Sequence, residues 1–148
     1  HRRHPYPTAT AMPALFVYGS PQEGFPNFHA NAGRRLAGEY RTELAYPLLL
    51  YNGQLPCLLP LPGRGLAVKA QVFEVDDPAL AAMDRLERVG EPGGYERHTI
   101  RVVRTDIADP AAIDAFVYMQ DPALLAGPGN HVGPIDEYTP EQAQHLRW

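Results

Sequence analysis

The chain has 148 residues, 45% of them hydrophobic and 20% charged, which suits one globular domain with a single core and excludes a disordered or fibrous chain. A formal net charge of -4, with no Lys/Arg run longer than a pair such as Arg34-Arg35, argues against a nucleic-acid or anionic-membrane surface, so a small-molecule or protein partner is expected. The lone Cys57 excludes an intramolecular disulfide and a cysteine-based zinc site, and no apolar run approaches the roughly 20 residues that span a bilayer, so a soluble, cytoplasmic protein is expected.

Residues 1–11 are polar and carry neither strand nor helix periodicity, which reads as a tag remnant or disordered extension ahead of Met12. Residues 12–148 then form a single domain, with no internal repeat and no linker. Leu15-Phe16-Val17-Tyr18 has the length and apolar content of a buried strand, and it stops in a loop built from Gly19, Ser20, Pro21, Gly24, Pro26 and Asn27. Such a loop at a sheet edge offers backbone N–H groups, a tyrosine and a hydroxyl to a small polar ligand, although an ordinary strand and turn would read the same way. A short helix is expected over 28–36, weakened by Gly33. Strands follow at 40–44 and 46–51, with Asn52-Gly53 turning the chain into a returning strand that includes Leu58 and Leu59. A long strand lies within 66–75. Asp77 is then expected to cap a helix with Pro78 at its first position, and Gly90, Pro92, Gly93 and Gly94 end that helix near Arg88. Two more strands occupy 95–105 and 113–119. The tail from Gln120 is rich in loops, with at most one short helix after Thr139. This pattern indicates an α+β domain whose sheet curls into a compact, mixed, barrel-like form with few peripheral helices.

The helix of residues 78–88 carries a carboxylate where an apolar residue belongs. At about 100° per residue, Ala79, Leu80, Met83 and Leu86 share one stripe, and Glu87 falls between Leu80 and Met83 on it. Asp84 can pair with Arg88 one turn on, as a solvated ion pair would. Glu87 has no such partner in the helix. It either curls out to water past Gly90 or sits partly desolvated, tuned as a general base. Other constellations are weaker. The Gly19 to Gly24 spacing lacks the Lys-Ser/Thr of a phosphate loop, Ser20 has no nucleophile elbow, and His29, His98, His131 and His145 have no metal-ligand spacing. No metal is assigned.

Val17-Tyr18-Gly19-Ser20 with Gly24 and Asn27, Tyr46-Pro47-Leu48, Leu61-Pro62-Gly63, Met83-Asp84-Arg85-Leu86-Glu87 and Tyr95-Glu96-Arg97 together resemble, in order and spacing, the γ-glutamylcyclotransferase-like family. The most similar branch is that of the γ-glutamylamine cyclotransferases and AIG2-like proteins. The likeness covers Leu15 to Met119. It implies a barrel-like mixed sheet with peripheral helices and a cofactor-free release of 5-oxoproline from a γ-glutamyl group. By the same resemblance Glu87 is the catalytic acid/base, and Tyr18, Gly19, Ser20, Pro21, Asn27 and Tyr95 bind the small-molecule γ-glutamyl substrate. The chain departs from the family at Pro21, where Leu or Asn is usual, and the proline removes one N–H that could hold a substrate carboxylate. Two other readings stay open: a non-catalytic ligand-binding or interaction module of the same fold, and a cyclotransferase acting on γ-glutamyl peptides or glutathione. No oligomeric state is implied.

Overall fold

The alternation of apolar side chains along three strands decides the architecture of residues 12–146, which the computed structural model describes. The expectation for residues 1–11 lies outside them. In β1 (Ala14–Val17), Phe16 joins Ala70 and Val72 of β6 (Lys69–Glu74) and Ala115, Val117 and Met119 of β8 (Ile113–Met119) in one buried cluster. Leu15 and Val17, one position over, join Phe73 and Tyr118 in a second cluster with Ala79, Leu80 and Met83 of α1 (Asp77–Leu86). A strand apolar on both faces must be covered on both. One face therefore lines a barrel interior, and the other carries the helix.

The barrel closes through β7 (Glu96–Arg104) and β3 (Tyr40–Thr42), in the ring β1-β8-β7-β3-β6 and back to β1. β1 runs parallel to β8 and antiparallel to β6, so the ring is mixed, as expected. Outside it, β4 (Leu48–Tyr51) and β5 (Leu55–Leu58) form a separate hairpin. Asn52 and Gly53 have φ of 52° and 72°, the paired left-handed turn that the Asn-Gly signal implies. Cys57 on β5 has no solvent exposure.

Four local expectations are corrected. The helix sought over 28–36 is one 3-10 turn, Phe28–Ala30, and Arg34–Arg35 (β2) instead pairs with β6. At Gly33 between them, a Cβ would stand 2.9 Å from Val75, so the chain passes too close to β6 to coil. The cap of α1 is Asp76, whose carboxylate accepts the Ala79 N–H at 2.8 Å, and Asp77 is the first helical residue with Pro78 second. Leu86 is 38% exposed rather than packed, because the helix ends there. The tail forms a 3-10 helix at Pro122–Ala126, capped by Asp121, and only turns from 140 to 145. Among the described residues no helix is long and apolar enough to cross a membrane.

Candidate active site

The loop after β1 is held by amides. Gln22 Nε2 donates to the Gly19 carbonyl at 3.1 Å, and Asn31 Nδ2 donates to the Pro21 carbonyl at 3.2 Å. Gln71 of β6 clamps Glu23 from both sides, accepting its N–H at 2.7 Å and donating to its carbonyl at 3.0 Å. Asn27, fully buried, donates to Ser20 Oγ at 2.9 Å and to the Leu146 carbonyl, so it stands behind the loop and not on the pocket wall. With the loop's carbonyls and side chains engaged, the Gly19 and Ser20 backbone N–H groups donate to no described residue. They are the groups left over for a ligand.

Opposite them ends α1. The Val89 N–H bonds the Asp84 carbonyl at 3.0 Å and the Arg88 N–H bonds that of Arg85 at 3.1 Å, a Schellman closure in which the left-handed position is taken by Arg88, φ 59°, instead of a glycine. The sequence put the helix end near Arg88, and α1 stops at Leu86, two residues earlier. Glu87 is thereby the C-cap, and its carbonyl receives the Tyr95 N–H at 2.9 Å as the chain returns. That return needs Gly94, since a Cβ there would meet the Arg88 carbonyl at 1.9 Å.

Between loop and helix end lies a narrow pocket of about 60 Å³. Its walls include Tyr18, Gly19, Ser20 and Pro21 from the loop, Met83 and Glu87 from α1, and Tyr95, Pro56 and Tyr118. Leu146 from the tail also borders it, a contribution with no sequence signal. Six of the seven residues expected to form the site thus share one pocket. Among the described residues, the Glu87 carboxylate accepts no hydrogen bond, and desolvation raises its pKa to about 7. The surrounding hydroxyls are committed elsewhere. Tyr18 Oη donates to the Tyr118 carbonyl at 2.6 Å and accepts the Leu58 N–H at 3.2 Å, while Tyr95 Oη donates to the Pro56 carbonyl at 2.7 Å. Burial, with Cys57 and Glu87 nearby, keeps the Tyr18 phenol neutral. Asp84 does not pair with Arg88. Instead it accepts from Arg97 at 2.8 Å and from Tyr118 Oη at 2.7 Å, and Arg88 turns to Glu91 at 3.3 Å.

A second, wider cleft of about 620 Å³ meets the pocket at Tyr95. It is formed by residues 90–96 and by Gln120, Asp121, Ala123 and Leu124, and Gln120 Nε2 ties the two segments by donating to the Gly93 carbonyl at 3.3 Å. Farther along the tail, Val132 pairs with Leu50 of the hairpin and takes no part in the cleft.

Fold and site together define a small α+β barrel with a desolvated carboxylate and backbone amides that donate to no described residue, and known proteins share the barrel fold. The crystal structure of an AIG2-like protein from Mus musculus matches with a TM-score of 0.71 at 28% identity, over 93% of this chain and 95% of that one. In sequence, a gamma-glutamylaminecyclotransferase of Bos taurus is 31% identical over 140 residues, 90% of this chain and 80% of that protein. The Homo sapiens protein of the same name is 35% identical over 123 residues, 72% of this chain and 78% of its own length. Residues 15–139 match the family described as gamma-glutamyl cyclotransferase, AIG2-like, and the chain belongs to that family.

Proposed function

We propose that this protein is a cyclotransferase that releases 5-oxoproline and a free amine from γ-glutamyl amines. The observation that carries the reading is the Glu87 carboxylate, raised by burial to about 7, across a tight pocket from the Gly19 and Ser20 N–H groups, all of them without a hydrogen-bond partner among the described residues. These amides suit the carboxylate of a glutamyl group. Glu87 takes a proton from the substrate's α-amine as that nitrogen attacks the γ-carbonyl, and the C–N bond to the leaving amine breaks as Glu87 returns the proton to it. A carboxyl poised near neutrality can serve both directions. Because the attack closes a five-membered ring within one molecule, holding the folded substrate supplies much of the acceleration. No cofactor enters these steps. A buried, unpaired Cys57 fits a reducing, cytoplasmic setting.

The leaving amine extends past Tyr95 into the wider cleft, whose charged lining residues are Glu91, Glu96 and Asp121. Among the described residues, no Lys or Arg lines it to receive a carboxylate. We therefore expect γ-glutamyl-ε-lysine and simple γ-glutamyl amines to be cleaved at least about tenfold more efficiently than glutathione, whose leaving group ends in a carboxylate. Incubation with a panel of γ-glutamyl compounds, followed by assay for 5-oxoproline and comparison of kcat/KM, tests both statements. Glu87→Gln is expected to keep the fold and lower kcat by about 10²–10⁴. Wild-type turnover in that variant removes Glu87 from the mechanism, and an equal or reversed substrate ratio removes the cleft from specificity.

A further inference from the structure

The motif Met83-Asp84-Arg85-Leu86-Glu87 contains a second carboxylate for which the reaction above has no use. Asp84 and Glu87 are three residues apart, so their side chains leave the helix about 60° from one another on adjoining faces. The last turn of α1 has little else to hold it to the barrel. Met83 packs, but Leu86 is exposed, and among the described residues Arg88 pairs only with Glu91. Beside the Tyr95 N–H on the Glu87 carbonyl, Asp84 supplies the side-chain attachment: Oδ1 accepts from Tyr118 Oη on β8 at 2.7 Å, and Oδ2 accepts from Arg97 on β7 at 2.8 Å. Arg97 in turn lies over the Phe116 ring at 4.6 Å, which fixes its guanidinium between helix and sheet.

Tyr118 links two halves of the pocket. Its hydroxyl holds the helix that bears Glu87, while its carbonyl accepts from Tyr18 Oη at 2.6 Å, and Tyr18 begins the loop that bears the free amides. Leu58 N–H, donating to Tyr18 Oη at 3.2 Å, extends the chain of bonds to the hairpin. We propose that Asp84, through Tyr118 and Arg97, is a positioning residue that sets where the Glu87 carboxyl stands relative to the Gly19 and Ser20 amides. The inference rests on the cyclotransferase reading for its kinetic consequence and on the bonding alone for its structural one. Arg97 also neutralises Asp84, so that a second charged carboxylate beside Glu87 does not oppose its ionisation.

Two variants and one background test it. Asp84→Asn keeps an acceptor for Tyr118 but removes the charge partner of Arg97, and Tyr118→Phe removes the hydroxyl. Each is expected to lower kcat about tenfold, with KM within about twofold, well below the melting temperature. In a Glu87→Gln background neither should lower the residual rate further, because a residue acting through Glu87 has nothing left to position. A purely structural role would instead lower the rate in both backgrounds. Multiplying effects, or a change confined to KM, overturn the proposal. Carboxyl carbon NMR of the unliganded protein gives a reading independent of turnover. Asp84→Asn leaves Arg97 uncompensated and is expected to move the Glu87 midpoint down by about 0.5 pH unit or more. Tyr18, Tyr95 and Tyr118, the phenols around Glu87, are all raised by burial, as is the Cys57 thiol, and so remain neutral through that range. If no γ-glutamyl amide is turned over, the functional reading falls, and the NMR midpoint alone decides the tether: unmoved, it overturns the tether as well.

Discussion

Glu87 holds its proton to about pH 7, against an ordinary value of 4.5, because burial disfavours its charged form. Between those values the folded protein is protonated at this site while the unfolded chain is not, so stability falls as pH rises through the window and the loss is complete above it. The penalty is of order 2 kcal/mol once the partial exposure of the side chain is allowed for. Glu87→Gln, neutral at every pH, should therefore melt about 5 °C above wild type at pH 8.5 and within about 1 °C of it at pH 4. Thermal melts at the two pH values check this, and an equal difference at both would show that the carboxyl is solvated. A variant that loses turnover while gaining stability is the mark of a residue kept for chemistry. Its position was legible in the sequence because a fixed angle per residue places a carboxylate in an apolar arc whatever surrounds the helix. Gln71 and Asn31 were not legible. What they brace lies 48 and 10 residues away, and periodicity reports a face but never a partner.

At the scale of the element, α1 shows where pattern reading overreaches. Ala79, Leu80 and Met83 are buried as the stripe requires, yet Leu86 belongs to the same stripe and is 38% exposed. The arc of a helix predicts contact only while a neighbouring element lies beneath it, and α1 ends at Leu86 with Glu87 as its C-cap. Leu80→Ala should cost about 2–5 kcal/mol, lowering the melting temperature by roughly 5–15 °C, whereas Leu86→Ala should stay within about 0.5 kcal/mol of wild type. Denaturant melts of the two variants at one pH compare them directly. Comparable losses would mean that Leu86 packs after all. Asp84 carries a similar lesson. Its spacing from Arg88 allowed an ion pair within the helix, but a tyrosine and an arginine on neighbouring strands offered a better-fixed partnership, and sequence distance hides such offers.

Closure of the barrel gathers chain segments that are far apart: the loop after β1, the β5 strand, the end of α1, Tyr95, Tyr118 and Leu146. The strands that make the ring were legible from alternation and turns, and 113–119 was placed to the residue. Which strands neighbour one another was not, since β1 meets β8 across about a hundred residues in a parallel pair with Leu15 opposite Phe116. One consequence of the hairpin's seat concerns labelling chemistry. Cys57, the chain's single cysteine, lies fully covered directly after Pro56 and 3.6 Å from Tyr95 Oη, both pocket residues, with its thiol pKa raised by burial. A disulfide reagent can reach that sulfur only when the hairpin lifts from the barrel, so the native protein should react about a hundredfold or more slowly than the unfolded chain. A ligand seated against Pro56 and Tyr95 must slow the reaction further, in proportion to its occupancy. Colour released by a thiol reagent thus becomes a binding assay that needs no turnover, and equal rates with and without saturating 5-oxoproline would place that ligand elsewhere.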